Sequence, residues 1–336
     1  MAFTPYINAF GYYAPERILD NFELSKIVDT NDEWIRTRTG ISERRIAAPG
    51  QNCSDMGLIC AKKALEATGM DPSELTMIVD CTVTGDSPLP TTACRLQTKL
   101  GLKDVMAFDV NAACSGFLYG LHIARGLLAA EPDSKILLLA TEMLSLRTNW
   151  TDRSTCVLFG DGAGAVLISN EKRPVTANPL SLNALIEGVL CRADGSHGEL
   201  LQAKGGGADH PYHLGSTVGE EFFIQMQGRE VYKLAVRSMT GLCKELMDSL
   251  GYGIGDIDLL IPHQANMRII QAVGERLEVP EDKVFINVQK YGNTSAASVA
   301  LALGEAVEQG VIKPGMRVLL TSFGGGMTWG SAIIKF

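Results

Sequence analysis

The chain has 336 residues, of which 46% are hydrophobic and 20% charged, which suffices to bury a large core and excludes wholesale disorder. A net charge of −8, a pI near 5.3 and the absence of any basic run argue against a nucleic-acid partner. Eight cysteines with no C-x-x-C pair and no His/Cys grouping at zinc spacing read as reduced thiols without a metal. Met1 to Pro15 holds no charged-then-apolar leader and no apolar run approaches the ~18 residues of a membrane helix, so the protein is expected to be cytoplasmic with no membrane partner.

Strand-like and helix-like stretches alternate along the chain, the pattern of an α/β fold. Strands are expected at Thr76 to Val83, Val105 to Val110, Lys135 to Ala140 and Ala163 to Ser169, and again at Asp258 to Pro262, Val284 to Val288, Arg317 to Ser322 and Gly330 to Phe336. After Val110 comes a run of small residues, Asn111 to Gly116, and then Phe117, Leu118, Leu121 and Ile123 to Ala124 at helical spacing. This pattern puts Cys114 at a strand-to-helix turn, where unpaired backbone N–H groups and the helix dipole favour thiolate over thiol, so its pKa is expected to fall. Gly160-Asp161-Gly162-Ala163-Gly164-Ala165 fits a loose G-x-G-x-x-A pattern, but Val166-Leu167-Ile168 continues it as a strand, not the helix that a dinucleotide site requires.

The two halves resemble each other. Gly69 to Cys81 and Gly251 to His263 both run from a helix end through an acidic turn into a strand. Phe108 to Cys114 answers Phe285 to Asn293, and Phe159 to Gly164 answers Phe323 to Gly326. Three correspondences in one order imply duplication, with halves 1–172 and 173–336 and a seam in the polar stretch Asn170 to Pro179. His263 and Asn293 then occupy the places that Cys81 and Cys114 hold in the first half. If the halves pack about a pseudo-two-fold axis, the strand ends bring Cys114, His263 and Asn293 together. His263 offers an imidazole that donates a hydrogen bond or exchanges a proton near pH 7, and Asn293 offers an amide donor that never ionises. Both suit a developing enolate or oxyanion.

Ala112-Ala113-Cys114-Ser115-Gly116-Phe117, Pro262-His263-Gln264-Ala265-Asn266, Tyr291-Gly292-Asn293-Thr294-Ser295-Ala296-Ala297-Ser298 and Phe323-Gly324-Gly325-Gly326 resemble β-ketoacyl-ACP synthase III. The likeness extends from Asn31-Asp32-Glu33-Trp34-Ile35 through Thr151-Asp152-Arg153 to Trp329-Gly330-Ser331-Ala332. It implies a thiolase-type five-layered αβαβα fold of two duplicated halves, a homodimer, and condensation of an acyl-CoA primer with malonyl-ACP, with no cofactor beyond these substrates. By the same resemblance, Cys114 accepts the acyl group, while His263 and Asn293 bind the malonyl thioester carbonyl as carbon dioxide leaves. The backbone N–H groups of Cys114 and Gly325 form the oxyanion hole of the acyl-enzyme. Trp34, Arg38 and Arg153 hold the CoA nucleotide, Asn266 lies by the pantetheine arm, and Lys233 and Arg268 dock the acidic acyl carrier protein. Arg229 and Tyr232 sit near the CoA tunnel at positions that vary between relatives.

Two features depart from the family pattern. Leu89 stands where the family places the side chain that crosses the dimer interface and closes the acyl pocket, and a leucine there is smaller than the aromatic that restricts primers to short chains. The loop from Glu199 to Glu220 reads as longer than in some relatives. Two other readings compete with initiation of fatty acid synthesis: a starter-unit condensing enzyme or acyltransferase of a secondary-metabolite pathway, and a Cys-His-Asn thioester hydrolase in which His263 is a general base oriented by Asn293.

Overall fold

The computed structural model describes residues 3–336; Met1 and Ala2, at the start of the stretch inspected for a leader, lie outside them. Nine strands form one sheet: β1 Tyr6–Tyr13, β2 Met77–Cys81, β3 Met106–Val110, β4 Ile136–Met143, β5 Asp161–Ser169, β6 Ser181–Ala193, β7 Leu259–Pro262, β8 Arg317–Gly324 and β9 Thr328–Lys335. Their spatial order is β7-β8-β9-β6-β1-β5-β4-β2-β3. Outward from the β6–β1 junction the two halves follow one scheme. In the first, β1, β5 and β4 pair antiparallel and β4, β2 and β3 parallel. In the second, β6, β9 and β8 pair antiparallel and β8 and β7 parallel. The chain crosses from one half to the other between Ser169, where β5 ends, and Ser181, where β6 begins.

The core strands are buried on both faces. Every residue of β4 and β5 is buried, as the unbroken apolar run Ile136 to Ala140 requires of a strand covered by helices on each side. The helices Gly116–Ala130 and Ala297–Glu308 each touch strands of both halves, so they form a middle layer. Cys53–Thr68 covers the first half and Gly228–Leu250 the second, which completes five layers. Small residues make this packing possible: a Cβ on Gly164 of β5 would lie 2.5 Å from the Cβ of Ala300 on the middle helix, so the helix can approach the strand only where that side chain is missing.

Seven of the eight expected strands are present, with ends shifted by up to three residues. The eighth is not. At Val284 to Val288 the chain makes one isolated parallel bridge, Leu260 to Val284, and then turns into a short helix, Val288–Tyr291. The reason is local: the side-chain oxygen of Gln264 accepts from the N–H groups of Asn287 (2.9 Å) and Val288 (3.1 Å), capturing donors that a ladder would need. The sheet also contains β1 and β6, which the apolar pattern did not single out.

Candidate active site

Cys114 follows β3 on a single 3-10 turn, Ala113–Ser115, and the α-helix begins two residues later, at Gly116. The turn is strained and pinned. Ala113 has φ +46°, a left-handed conformation costly for a side chain. The Ser322 hydroxyl donates to the Cys114 carbonyl (2.6 Å), the Thr328 hydroxyl to the Ala112 carbonyl (2.8 Å), and the Ser115 hydroxyl to the Thr328 carbonyl (3.0 Å). The second half of the chain therefore holds the Cys114 turn of the first.

Gly324 explains the close approach. A Cβ there would fall 2.5 Å from the Cys114 nitrogen, so only glycine lets β8 reach the turn. At the neighbouring residue, the Gly325 N–H and the N–H of Cys114 itself both favour the anionic form of the Cys114 sulfur. That is the pair expected to cradle an oxyanion.

The expected fall in the thiol's pKa does not occur. Burial pushes Cys114 up to about 11, against the opposing influence of a hydrogen bond to Ser295 and of the two backbone N–H groups. A helix N-terminus contributes at most ~2 kcal/mol, or roughly 1.5 pK units, and desolvation outweighs it here.

His263 follows β7, with its N–H donating to the Thr321 carbonyl at 2.8 Å. It is 4% exposed, and burial lowers its pKa to about 3. The ring is therefore neutral at working pH and does not exchange protons near 7 as the free side chain does. Its Nδ1 lies 2.5 Å from the Ser298 hydroxyl. When Ser298 donates to Nδ1, the ring proton sits on Nε2 and the imidazole becomes a donor. Asn293 is likewise buried. Its Oδ1 accepts from the Ser295 N–H at 2.9 Å, which leaves the NH2 end as the donor for a ligand.

Cys114, His263 and Asn293 line one cavity of about 1390 Å³, together with Gly325, Trp34, Arg38, Asn266, Lys233 and Arg268. Toward the surface the lining becomes cationic. Arg38 lies over the Trp34 ring, 4.6 Å from its centroid, and Arg153 at 4.8 Å; Arg153 thus meets the site by stacking on Trp34. Lys233 is paired with Glu230 at 2.8 Å, and Arg268 donates to the Thr37 carbonyl at 3.1 Å. Arg229 and Tyr232 also line the cavity. Within the loop from Glu199 to Glu220, Leu201 to Ala203 and Gly205 to Gly207 supply a wall, held by Arg147, which donates to the Gly205 and Phe222 carbonyls at 3.4 and 3.1 Å. Leu89 stands apart, 85% exposed and outside the lining of this chain's cavity.

Sequence reasoning assigned no role to Ser295, Ser298 or Glu142. The first two lie inside the motif that carries Asn293; nothing local marks the third. Among the described residues, no helix is long and apolar enough to cross a membrane.

Comparison with known proteins agrees with this geometry. Residues 108–183 match the model of the 3-oxoacyl-[acyl-carrier-protein] synthase III family, and residues 247–336 that of its C-terminal part. The chain is 53% identical to the β-ketoacyl-[acyl-carrier-protein] synthase III of Nitratidesulfovibrio vulgaris over 98% of each protein. It superposes on the crystal structure of 3-oxoacyl-[acyl-carrier-protein] synthase III from Aquifex aeolicus with a TM-score of 0.87 and 43% identity, covering 99% of this chain and 100% of that one. The priming β-ketosynthase of the R1128 polyketide pathway is also similar, with a TM-score of 0.88 and 33% identity over 98% of this chain and 96% of that one. On a site built from both halves and likeness along its whole length, the chain belongs to the 3-oxoacyl-[acyl-carrier-protein] synthase III family.

Proposed function

We propose that this cavity performs both halves of a decarboxylating Claisen condensation. Cys114 takes the acyl group from acyl-CoA, and the acyl-enzyme then condenses with malonyl-ACP to give β-ketoacyl-ACP, the initiating step of fatty acid synthesis. In the first half, the Cys114 sulfur attacks the thioester carbonyl and the CoA thiolate leaves. The N–H groups of Cys114 and Gly325 receive the negative charge on oxygen, a task such donors perform best in a dry, preorganised pocket. In the second half, His263 Nε2–H and the Asn293 amide bind the malonyl thioester oxygen. As the carboxylate departs as carbon dioxide, its bonding electrons form an enolate on that oxygen. The enolate carbon attacks the acyl group, and the Cys114 thiolate leaves.

The observation that carries this reading is the neutral, buried His263 beside the neutral Asn293. An imidazole titrating near 3 is a poor general base at pH 7, which counts against the hydrolase, whereas a donor that stays uncharged suits an enolate that forms and collapses within one turnover. The exposed cations Arg38, Arg153, Arg229, Lys233 and Arg268 suit the phosphates of CoA and an acidic carrier protein, with Trp34 as a stacking platform. Because Leu89 is exposed, its service as a pocket wall requires a second copy of the chain, in keeping with a homodimer; the cytoplasm is the compartment where all these substrates and reduced thiols coexist. The test is incubation with acetyl-CoA and malonyl-ACP. A β-ketoacyl-ACP product is expected, and release of free acid without condensation would overturn the reading.

A further inference from the structure

A buried carboxylate behind the nucleophile has no part in the steps above. Glu142 on β4 is 0% exposed. Its Oε1 accepts from the Ser295 hydroxyl at 2.9 Å and the Ala296 N–H at 3.4 Å. Its Oε2 accepts from the Thr84 hydroxyl at 2.5 Å, the Val83 N–H at 3.2 Å and the Thr82 hydroxyl at 3.4 Å. Those donors favour the anion, but burial outweighs them and raises Glu142 to about 7. The side chain is thus poised to gain or lose a proton where the enzyme works.

Ser295 connects it to the cavity. The residue lines the same cavity as Cys114, its side chain favours the anionic form of the Cys114 thiol, and its hydroxyl donates to Glu142. It sits at φ +50°, a conformation a serine keeps only when its surroundings impose it. The other titratable groups facing Glu142 are Asp80 on β2, Cys81 at the end of β2, Cys53 at the start of the helix Cys53–Thr68, and Cys114 itself. Burial holds all four above their ordinary values, which keeps the three thiols protonated near pH 7, where Glu142 titrates.

We propose that Glu142, acting through the Ser295 hydroxyl, accepts the proton of Cys114 as the thiol attacks. The S–H bond breaks and its proton passes to Ser295 Oγ. The hydroxyl proton that Ser295 held passes to Glu142 Oε1, and the negative charge moves from the carboxylate to the sulfur, which forms the bond to the acyl carbon. When the condensation product leaves and the sulfur departs as thiolate, the same path runs backwards. No further reactant is needed. The inference rests on Cys114 being the nucleophile and supplies the base that a thiol titrating near 11 lacks.

The test uses the full chain with Glu142→Gln and Ser295→Ala, reading three quantities. The first is the burst of acyl-enzyme formation from acetyl-CoA as a function of pH; the second is decarboxylation of malonyl-ACP without acyl donor; the third is alkylation of Cys114 by iodoacetamide. In the wild type the burst rate rises with pH and levels off above the titration of Glu142, near 7. Both variants slow the burst by about 10²- to 10⁴-fold, the usual scale of general-base catalysis, and the break disappears in Glu142→Gln. Decarboxylation stays within about threefold of wild type in both, which a merely structural role would not allow. Alkylation needs no acyl-CoA: in the wild type it levels above the same titration, whereas in Glu142→Gln it climbs steadily with pH. A burst left intact in both variants, a break that survives Glu142→Gln, or decarboxylation falling in parallel with the burst would overturn the relay. If Glu142→Gln does not fold, Ser295→Ala decides, since it keeps the carboxylate and its other donors. A chain that alkylates as expected but takes no acyl group from acyl-CoA would instead overturn the condensing function.

Discussion

Replacing Gly324 by alanine should displace Cys114 without changing its side chain. The new Cβ lands 2.5 Å from the Cys114 nitrogen, 3.1 Å from the Ser115 nitrogen and 3.2 Å from the Ala113 Cβ. The first two are backbone atoms, so no side chain can swing aside. Restoring ordinary contact at about 3.4 Å moves the turn away from β8 by roughly 0.9 Å. Overpacking of this kind costs about 1–3 kcal/mol, and displacing a reacting group by ~1 Å costs about 10² in rate. The shift acts on a turn already strained at Ala113 and fixed by the Ser322 and Thr328 hydroxyls, so it is expected to disturb the Cys114 N–H as an oxyanion donor as well. Urea denaturation and the burst of acyl-enzyme formation measure the two effects. Gly126→Ala is the control: it lies in the helix that follows Cys114, its Cβ meets nothing within 4 Å, and it should add about 0.4–1 kcal/mol of stability with the burst unchanged. Wild-type stability and a wild-type burst in Gly324→Ala would refute the claim that glycine is required for β8 to reach the Cys114 turn.

His263→Ala and Asn293→Ala should keep most acyl-enzyme formation and lose malonyl-ACP decarboxylation, at about 2.7–4 kcal/mol per donor removed; single-turnover assays of each half-reaction separate the two. Ser298→Ala removes the partner of His263 Nδ1 and should slow decarboxylation by a few-fold to tenfold, for a hydrogen bond worth about 0.5–1.5 kcal/mol, with the acyl burst unaffected. His263 titrates near 3 when folded and at about 6.5 when unfolded, so the unfolded chain binds the proton first. Stability is therefore lost as pH falls from about 6.5 toward 3, by up to roughly 4–5 kcal/mol. Glu142, raised to about 7 by folding, has the opposite sign and offsets part of that loss between pH 7 and about 4.5; urea midpoints of His263→Gln against wild type across this range should show a flatter acid limb in the variant. Leu89→Phe should narrow primer use toward acetyl-CoA in steady-state kinetics across an acyl-CoA series, with discrimination limited to ~1–3 kcal/mol per methylene, and an unchanged profile would remove Leu89 from the pocket.

What was legible in the sequence had a local signature, and what was missed was assembled from a distance. Runs such as Ile136 to Ala140 announce buried strands because burial on two faces needs an unbroken apolar stretch. Tyr6 to Tyr13 and Ser181 to Ala193 carry Asn8 and Asn183 within the strand pair, and these asparagines bond to each other at 2.9 Å, a partnership no single-strand pattern can reveal. Cys114, His263 and Asn293 could be found because they lie at matching places in two similar halves, Cys114 and His263 after strands and Asn293 after the short helix that stands in place of an expected strand. The environment of Cys114 could not: a local rule about helix ends predicts a lowered pKa, and desolvation by the surrounding protein reverses it, with the distant Glu142 acting in the same direction. Glu142 lies 153 residues from Ser295, which bonds it. A thiol set where desolvation outweighs its neighbouring donors is hard to ionise, and the fold that imposes this difficulty sets a carboxylate raised to about 7 behind the Ser295 hydroxyl of the same cavity.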